Sequence, residues 1–141
     1  MAQGLRPGDL LLLEGELGAG KTTLARAIGE ALHADPPLTS PTFVLSSEHA
    51  GRLPIWHLDA YRLDPGGDPV ALGLIDAQNE HGVTIIEWGE RLSIAPESAT
   101  LQVSLEGEGT RRRAAIRCSD AERLNQFAAA VRAAGLHIDE S

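Results

Sequence analysis

Gly15-Glu16-Leu17-Gly18-Ala19-Gly20-Lys21-Thr22 has the form G-x-x-x-x-G-K-[ST], and the residues on either side of it decide the fold. An apolar run, Leu10 to Leu13, leads directly into it, and a helix-like segment, Thr22 to Leu32, leads out. Such a loop works only as the turn from a buried strand into a helix N-terminus. Its glycines let the backbone wrap close to phosphate oxygens, with successive N–H groups pointing into the concavity. The positive end of the helix dipole adds to the attraction. In that setting Lys21 reaches β- and γ-phosphates, and the Thr22 hydroxyl is a ligand for Mg²⁺. The plainer alternative is a glycine-rich turn with a solvated lysine. All the fixed positions of the motif, with strand and helix in place, point instead to a nucleoside triphosphate.

Working outward, Asp9 to Glu14 reads as a buried parallel strand, because its leucines are continuous instead of alternating. Leu24, Ile28 and Leu32 recur at four-residue spacing on the following helix, with Ala25 and Ala27 allowing close packing. His33 to Pro41 is a proline-rich connection. Thr42 to Glu48 and Pro54 to Asp59 are strands joined through Ala50-Gly51-Arg52, an antiparallel hairpin. Leu63 to Pro69 is irregular, and a short helix is expected over Val70 to Glu80. Val83 to Glu87 is a second buried strand. Thr100 to Glu106 and Arg111 to Cys118 alternate around a Gly/Glu turn and form another hairpin. Ser119-Asp120-Ala121-Glu122 starts a helix that runs to about Ala134. The pattern predicts one α/β domain over residues 1–141: a three-layer fold of the P-loop NTPase type, with a mixed, centrally parallel sheet and antiparallel hairpins.

The chain has 141 residues, twelve basic against twenty acidic side chains and a net charge of −8. That balance argues against autonomous binding to RNA or DNA, which needs a basic footprint. The basic cluster Arg111-Arg112-Arg113 reads first as the start of a hairpin strand and only second as a docking patch. No apolar run approaches the roughly 18 residues that span a bilayer. The N-terminus reads as neither a secretory signal nor a transit peptide. Cys118 is the single cysteine, which points to a reducing cytoplasm, and its plainest role is that of a small hydrophobe at a strand end.

A phosphate loop needs a metal-holding acid on a neighbouring strand. Glu87 is the best candidate, at the C-terminal end of an apolar strand, where ligand crevices of α/β sheets lie. It could hold Mg²⁺ or orient the attacking water; the alternative is an ion pair with Arg91, four residues on. Asp59, ending Ile55-Trp56-His57-Leu58, is the second candidate: it could position water or share the metal, with a cap or an ion pair to Arg62 as its alternative. His57 lies two residues before it and shares its strand face, a placement more typical of a packed or hydrogen-bonded residue. In Ser40-Pro41-Thr42-Phe43, Thr42 offers a hydroxyl that could sense a γ-phosphate. Trp88 could wall the crevice or anchor a partner, although core packing is its default.

In this order and at these distances, the blocks resemble the TsaE (YjeE) family, small bacterial ATPases of tRNA threonylcarbamoyladenosine biosynthesis. The likeness runs through Gly15 to Thr23, Ser40-Pro41-Thr42-Phe43, His57-Leu58-Asp59-Ala60-Tyr61-Arg62-Leu63, Leu72-Gly73-Leu74 and Ile86-Glu87-Trp88. The resemblance implies that Glu16, Leu17, Gly18, Ala19, Gly20, Lys21, Thr22 and Thr23 cradle the phosphates of ATP. It implies Mg²⁺ on Thr22 and Glu87, a need for Asp59 in hydrolysis, a nucleotide-responsive Thr42 and a functional Trp88. By the same resemblance the partners are the TsaB and TsaD proteins, which modify adenosine 37 of tRNA. The tRNA is met only through that complex, the transfer chemistry belongs to TsaD, and no membrane is involved.

This chain departs from the family pattern in two places. Only nine residues precede Leu10, so the domain reads as N-terminally shortened. The usually glutamate-rich stretch after Leu63 is here Asp64-Pro65-Gly66-Gly67-Asp68-Pro69. The resemblance also implies that an arginine of the C-terminal hairpin could approach the nucleotide, with the choice among Arg111 to Arg113 left open. With no identifiable arginine finger in cis, slow hydrolysis by the chain alone is expected. Two other functions fit the loop: a nucleotide-gated binding module without significant hydrolysis, and a small-molecule P-loop kinase. The Gly66-Gly67 region is short and arginine-poor for a kinase lid. No N-K-x-D element is present, since Asn79-Glu80-His81-Gly82 does not supply one, and this disfavours guanine.

Overall fold

The computed structural model describes residues 5–15, 21–36, 38, 46–60, 66, 75–88, 99–108, 111–118, 120–133 and 137–139. The leucine run becomes the centre of the sheet. Strand β1 (Leu10–Gly15) lies between β4 (Val83–Glu87) and β5 (Leu101–Glu108), parallel to both. Beyond β4 come β3 (Ile55–Asp59), parallel to it, and β2 (Ser46–His49), antiparallel to β3. Beyond β5 come β6 (Arg111–Arg117), antiparallel, and β7 (His137–Asp139), parallel to β6. The order β2-β3-β4-β1-β5-β6-β7 therefore has four parallel strands in the middle, flanked by the antiparallel pairings β2–β3 and β5–β6.

Continuous apolar strands belong in such a centre because both faces are covered. Leu11 and Leu13 turn to one face, where they join Ile55, Val83, Ile85, Leu101, Val103 and Leu105 in the main core. Helix α1 (Lys21–Ala31) packs Leu24, Ala25 and Ile28 onto that face, and α2 (Ala121–Ala133) adds Phe127 and Ala128. Each large side chain buried there contributes about 1.5–3 kcal/mol. Leu12, Leu58, Ala60 and Ile86 turn to the other face, joined by the half-buried Trp56, Ile75, Trp88 and Ala99. Both described helices cover the first face. The helix expected over Val70 to Glu80 lies partly outside the described residues, which begin there at Ile75.

That helix, expected over Val70 to Glu80, is shorter where it can be seen. A single 3-10 stretch covers Ala77–His81, while Ile75 and Asp76 are not helical. Asp76 sets the start: its carboxylate accepts from the Gln78 N–H at 2.8 Å, and its own N–H donates to the Asn79 side chain at 3.0 Å. Gly82 sets the end. A Cβ there would lie 2.1 Å from the Pro54 carbonyl oxygen, so only glycine lets β4 begin flush against the segment entering β3. Asn79 is buried and donates to the Thr84 hydroxyl at 2.8 Å, a structural use of the segment that lacked a guanine motif.

The other elements follow the sequence closely. Asp120 caps α2, accepting from the N–H groups of Glu122 and Arg123 at 3.0 and 3.2 Å. Of the strand expected over Thr42 to Glu48, Ser46 onward is described and residues 42–45 are not. Strand β7 gave no advance signal, because three residues are too few for a period to register. Cys118 is half-buried just after β6 and packs against the main core.

Candidate functional site

Because β1, β3 and β4 are parallel, their C-terminal ends, Gly15, Asp59 and Glu87, lie at one edge of the sheet. Gly15 has φ +141°, a conformation open to glycine and strained for other residues, as the chain leaves β1 for the loop. Residues 16–20 lie outside the described residues, as does Thr42, so of the predicted phosphate cradle only Lys21, Thr22 and Thr23 can be placed. They form the first turn of α1. That turn carries no acidic side chain, so the positive end of the helix dipole is left for an anion.

Lys21 is only 5% exposed. A buried ammonium needs compensating partners. It donates to the Gly15 carbonyl at 2.5 Å and lies 3.9 Å from the centroid of the Trp88 ring. Trp88 can offer that face because its backbone turns sharply after β4, with φ +61°. Its N–H is anchored on the Leu13 carbonyl at 2.9 Å. A cation over an indole face is worth about 0.5–2 kcal/mol. The sequence left Trp88 between core packing and a role in the crevice. It packs beside the second core cluster and also holds the loop lysine.

Glu87 is 2% exposed, and each of its oxygens meets a donor. Oε1 accepts from the Thr22 hydroxyl at 2.7 Å, and Oε2 lies 2.5 Å from His57 Nε2. The alternative partner Arg91 lies outside the described residues. Asp59 is half-buried and stands directly beside Glu87 in the β3–β4 ladder, on the same face of the sheet. The Ala60 N–H donates to the Glu87 carbonyl at 3.0 Å and carries that pairing past the strand ends. Arg62, the alternative partner of Asp59, is likewise outside the described residues. Thr23 is exposed on α1.

The sequence reading missed the role of His57. It placed the histidine on the face of Asp59 but did not connect it to Glu87. The signal was available: His57 and Asp59 share parity on β3, and parallel pairing sets Asp59 beside Glu87. Choosing β4 as the neighbour of β3, however, required the tertiary fold. Of the two ring nitrogens of His57, Nε2 meets Glu87 and Nδ1 does not. Nδ1 is buried and meets no hydrogen-bond partner among the described residues.

The chemistry that fits is oxygen ligation of a hard cation next to phosphate. No group of three His, Cys, Asp or Glu side chains gathers into a cage among the described residues. Mg²⁺ held by one or two protein oxygens plus substrate phosphates does not need one. The β5–β6 hairpin runs beyond the level of Gly15 at the same edge, carrying Arg111 and Arg112 at its tip. No helix among the described residues is long and apolar enough to cross a membrane.

The fold and its edge define a class: an α/β protein with a centrally parallel sheet and a phosphate-loop sequence between β1 and α1. Comparison with known proteins makes it specific. The family model described as "Threonylcarbamoyl adenosine biosynthesis protein TsaE" matches residues 1–115, and the chain belongs to that family. It is 46% identical to the tRNA threonylcarbamoyladenosine biosynthesis protein TsaE of Streptomyces coelicolor, over 64% of this chain and 63% of that protein. The Nostoc sp. protein of the same name is 41% identical over 70% and 63%, and that of Bacillus subtilis 36% over 74% and 65%. The match thus spans less than two thirds of the length of these relatives. Among solved structures, Bacillus subtilis YdiB superposes with a TM-score of 0.50 at 32% identity, over 77% of this chain and 66% of that one.

Proposed function

We propose that this protein is a Mg²⁺-dependent ATPase that supports tRNA threonylcarbamoyladenosine formation in the cytoplasm, with the TsaB and TsaD proteins as its partners. The observation that carries the reading is the 2.7 Å contact between the Thr22 hydroxyl and Glu87 Oε1, at the sheet edge where α1 begins. These are the two oxygen donors that a phosphate-bound Mg²⁺ would use, already side by side. The family name supports the pathway.

In this reading the amides of Glu16 to Thr23 and the Lys21 ammonium bind the ATP phosphates. Phosphate oxygens replace the Gly15 carbonyl as the partner of Lys21 and satisfy its charge more fully. Thr22 and Glu87 hold Mg²⁺, which when bound neutralises charge building on the β- and γ-phosphates. Asp59, one ladder step from Glu87 and only half-buried, orients the attacking water. Thr42 senses the γ-phosphate. The net charge of −8 suits a subunit that docks on protein and meets tRNA only through its partners.

The test is phosphate release from ATP with and without Mg²⁺, measured for the chain alone and with the TsaB–TsaD pair and tRNA. Slow release that the partners stimulate, lost in Lys21→Ala and Asp59→Ala, is the expected result. ATP binding without release under any condition would replace the enzyme with a nucleotide-gated binding module. Phosphate found on a metabolite would replace it with a kinase.

A further inference from the structure

The His57–Glu87 contact is fully buried, with His57 0% and Glu87 2% exposed. Simple packing does not account for it. The ladder neighbours of His57 are Ser47 and Ile85, and Ile55 and Ile85 on the same face belong to the apolar core. An apolar side chain would fill this place without stranding a polar atom. The imidazole instead leaves Nδ1 buried with no partner among the described residues, at a cost of about 1–3 kcal/mol. Its one described polar contact is Nε2 to Glu87 Oε2, at 2.5 Å. The other oxygen of Glu87 faces Thr22.

From this geometry we infer that His57 is a positioning residue that ties off Oε2 of Glu87, so that only Oε1 is offered, together with the Thr22 hydroxyl, to a divalent cation. The inference rests on the Mg²⁺ site proposed above and adds a consequence for metal choice. With Oε2 held by His57, Glu87 cannot embrace a metal through both oxygens. One-oxygen ligation suits Mg²⁺, which demands near-octahedral geometry and keeps its waters. Ca²⁺ is larger and readily takes a carboxylate through both oxygens. His57 thereby selects for the smaller ion. Groups that orient metal ligands in this way commonly change metal affinity or activity by about 10- to 100-fold when removed.

The test is titration of the full chain with a non-hydrolysable ATP analogue in EDTA, in Mg²⁺ and in Ca²⁺. The variants are His57→Leu, His57→Gln and Glu87→Gln. In His57→Leu, the gain in analogue affinity conferred by Mg²⁺ should fall by about 10- to 100-fold, and the gain conferred by Ca²⁺ should fall less. Affinity in EDTA should stay within about twofold, because the phosphate loop is untouched. His57→Gln places an amide donor as many bonds from Cβ as Nε2 and should recover most of the Mg²⁺ preference. Unchanged Mg²⁺ and Ca²⁺ gains in His57→Leu would overturn the inference while leaving the metal site standing. An unchanged Mg²⁺ gain in Glu87→Gln would overturn the metal site itself. If His57→Leu does not fold, ¹⁵N NMR of the unsubstituted chain decides. A ring proton on Nε2 that persists with analogue and Mg²⁺ supports positioning, and a proton on Nδ1 only sinks it.

Discussion

Glu14 and Glu87 lie at or next to the C-terminal ends of neighbouring parallel strands, at the same edge of the sheet, yet their surroundings differ. Glu87 pairs in register with Leu13, so it shares the face that α1 covers and meets Thr22 and His57. Glu14 stands one residue further along β1, and the pleat turns it to the opposite face. There it accepts from the Gln102 amide at 2.6 Å and the Ser104 hydroxyl at 3.3 Å, both on β5. One step of strand parity separates an acid held between Thr22 and His57 from one that cross-links two strands. Proximity to the phosphate-loop motif in sequence favours Glu14, and the tertiary register favours Glu87.

The strongest way to break this contrast is at Asp59, which shares the face of Glu87. Asp59→Ala should lower phosphate release by about 10²–10⁴-fold while analogue affinity changes only a few-fold. A parallel loss of binding would mean that Asp59 holds the nucleotide instead of orienting water. The opposite end of β1 gives a control of similar size in a different quantity. There Asp9 is paired with Arg123 of α2 and accepts from the Arg6 N–H at 2.8 Å, with both ionic side chains largely buried. Asp9→Ala takes the carboxylate away from a largely buried guanidinium, and urea denaturation should show about 3–5 kcal/mol of lost stability. Release per folded molecule should be unchanged in that variant; a loss would show that the two ends of β1 are coupled.

Lys21→Ala should weaken analogue binding by about 100-fold, the loss of one or two charge-assisted hydrogen bonds. Equal affinity by calorimetry would show that the loop amides suffice. Glu14→Gln should be the mildest. Release within about twofold and stability within about 1 kcal/mol of the parent are expected, since the amide still offers an oxygen to one of its two donors. A hundredfold fall in release would erase the distinction between the two acids and assign Glu14 to the site.

Local sequence was enough for several of these features. Val83–Glu87 was bounded correctly because β-branched residues run unbroken between Gly82 and an acid. The α1 segment was legible from its four-residue spacing, and both hairpins from their turn residues. The expected helix before Gly82 was less so: apolar residues were present, but among the described residues the side-chain cap at Asp76 starts a short 3-10 turn over Ala77–His81. The His57–Glu87 pair was not legible, because 30 residues separate its members and no local period links them.

The sequence by itself determined that a buried strand, a phosphate-loop motif and a helix follow one another, and that acids end two later strands. These are local properties, set by apolar runs, glycines and spacing. The strand order β3-β4-β1-β5 was decided only in the tertiary structure, because pairing depends on which faces can be buried together. That order puts Glu87 beside Asp59, aims it at Thr22, seats Lys21 on Trp88 and gives His57 a carboxylate to hold.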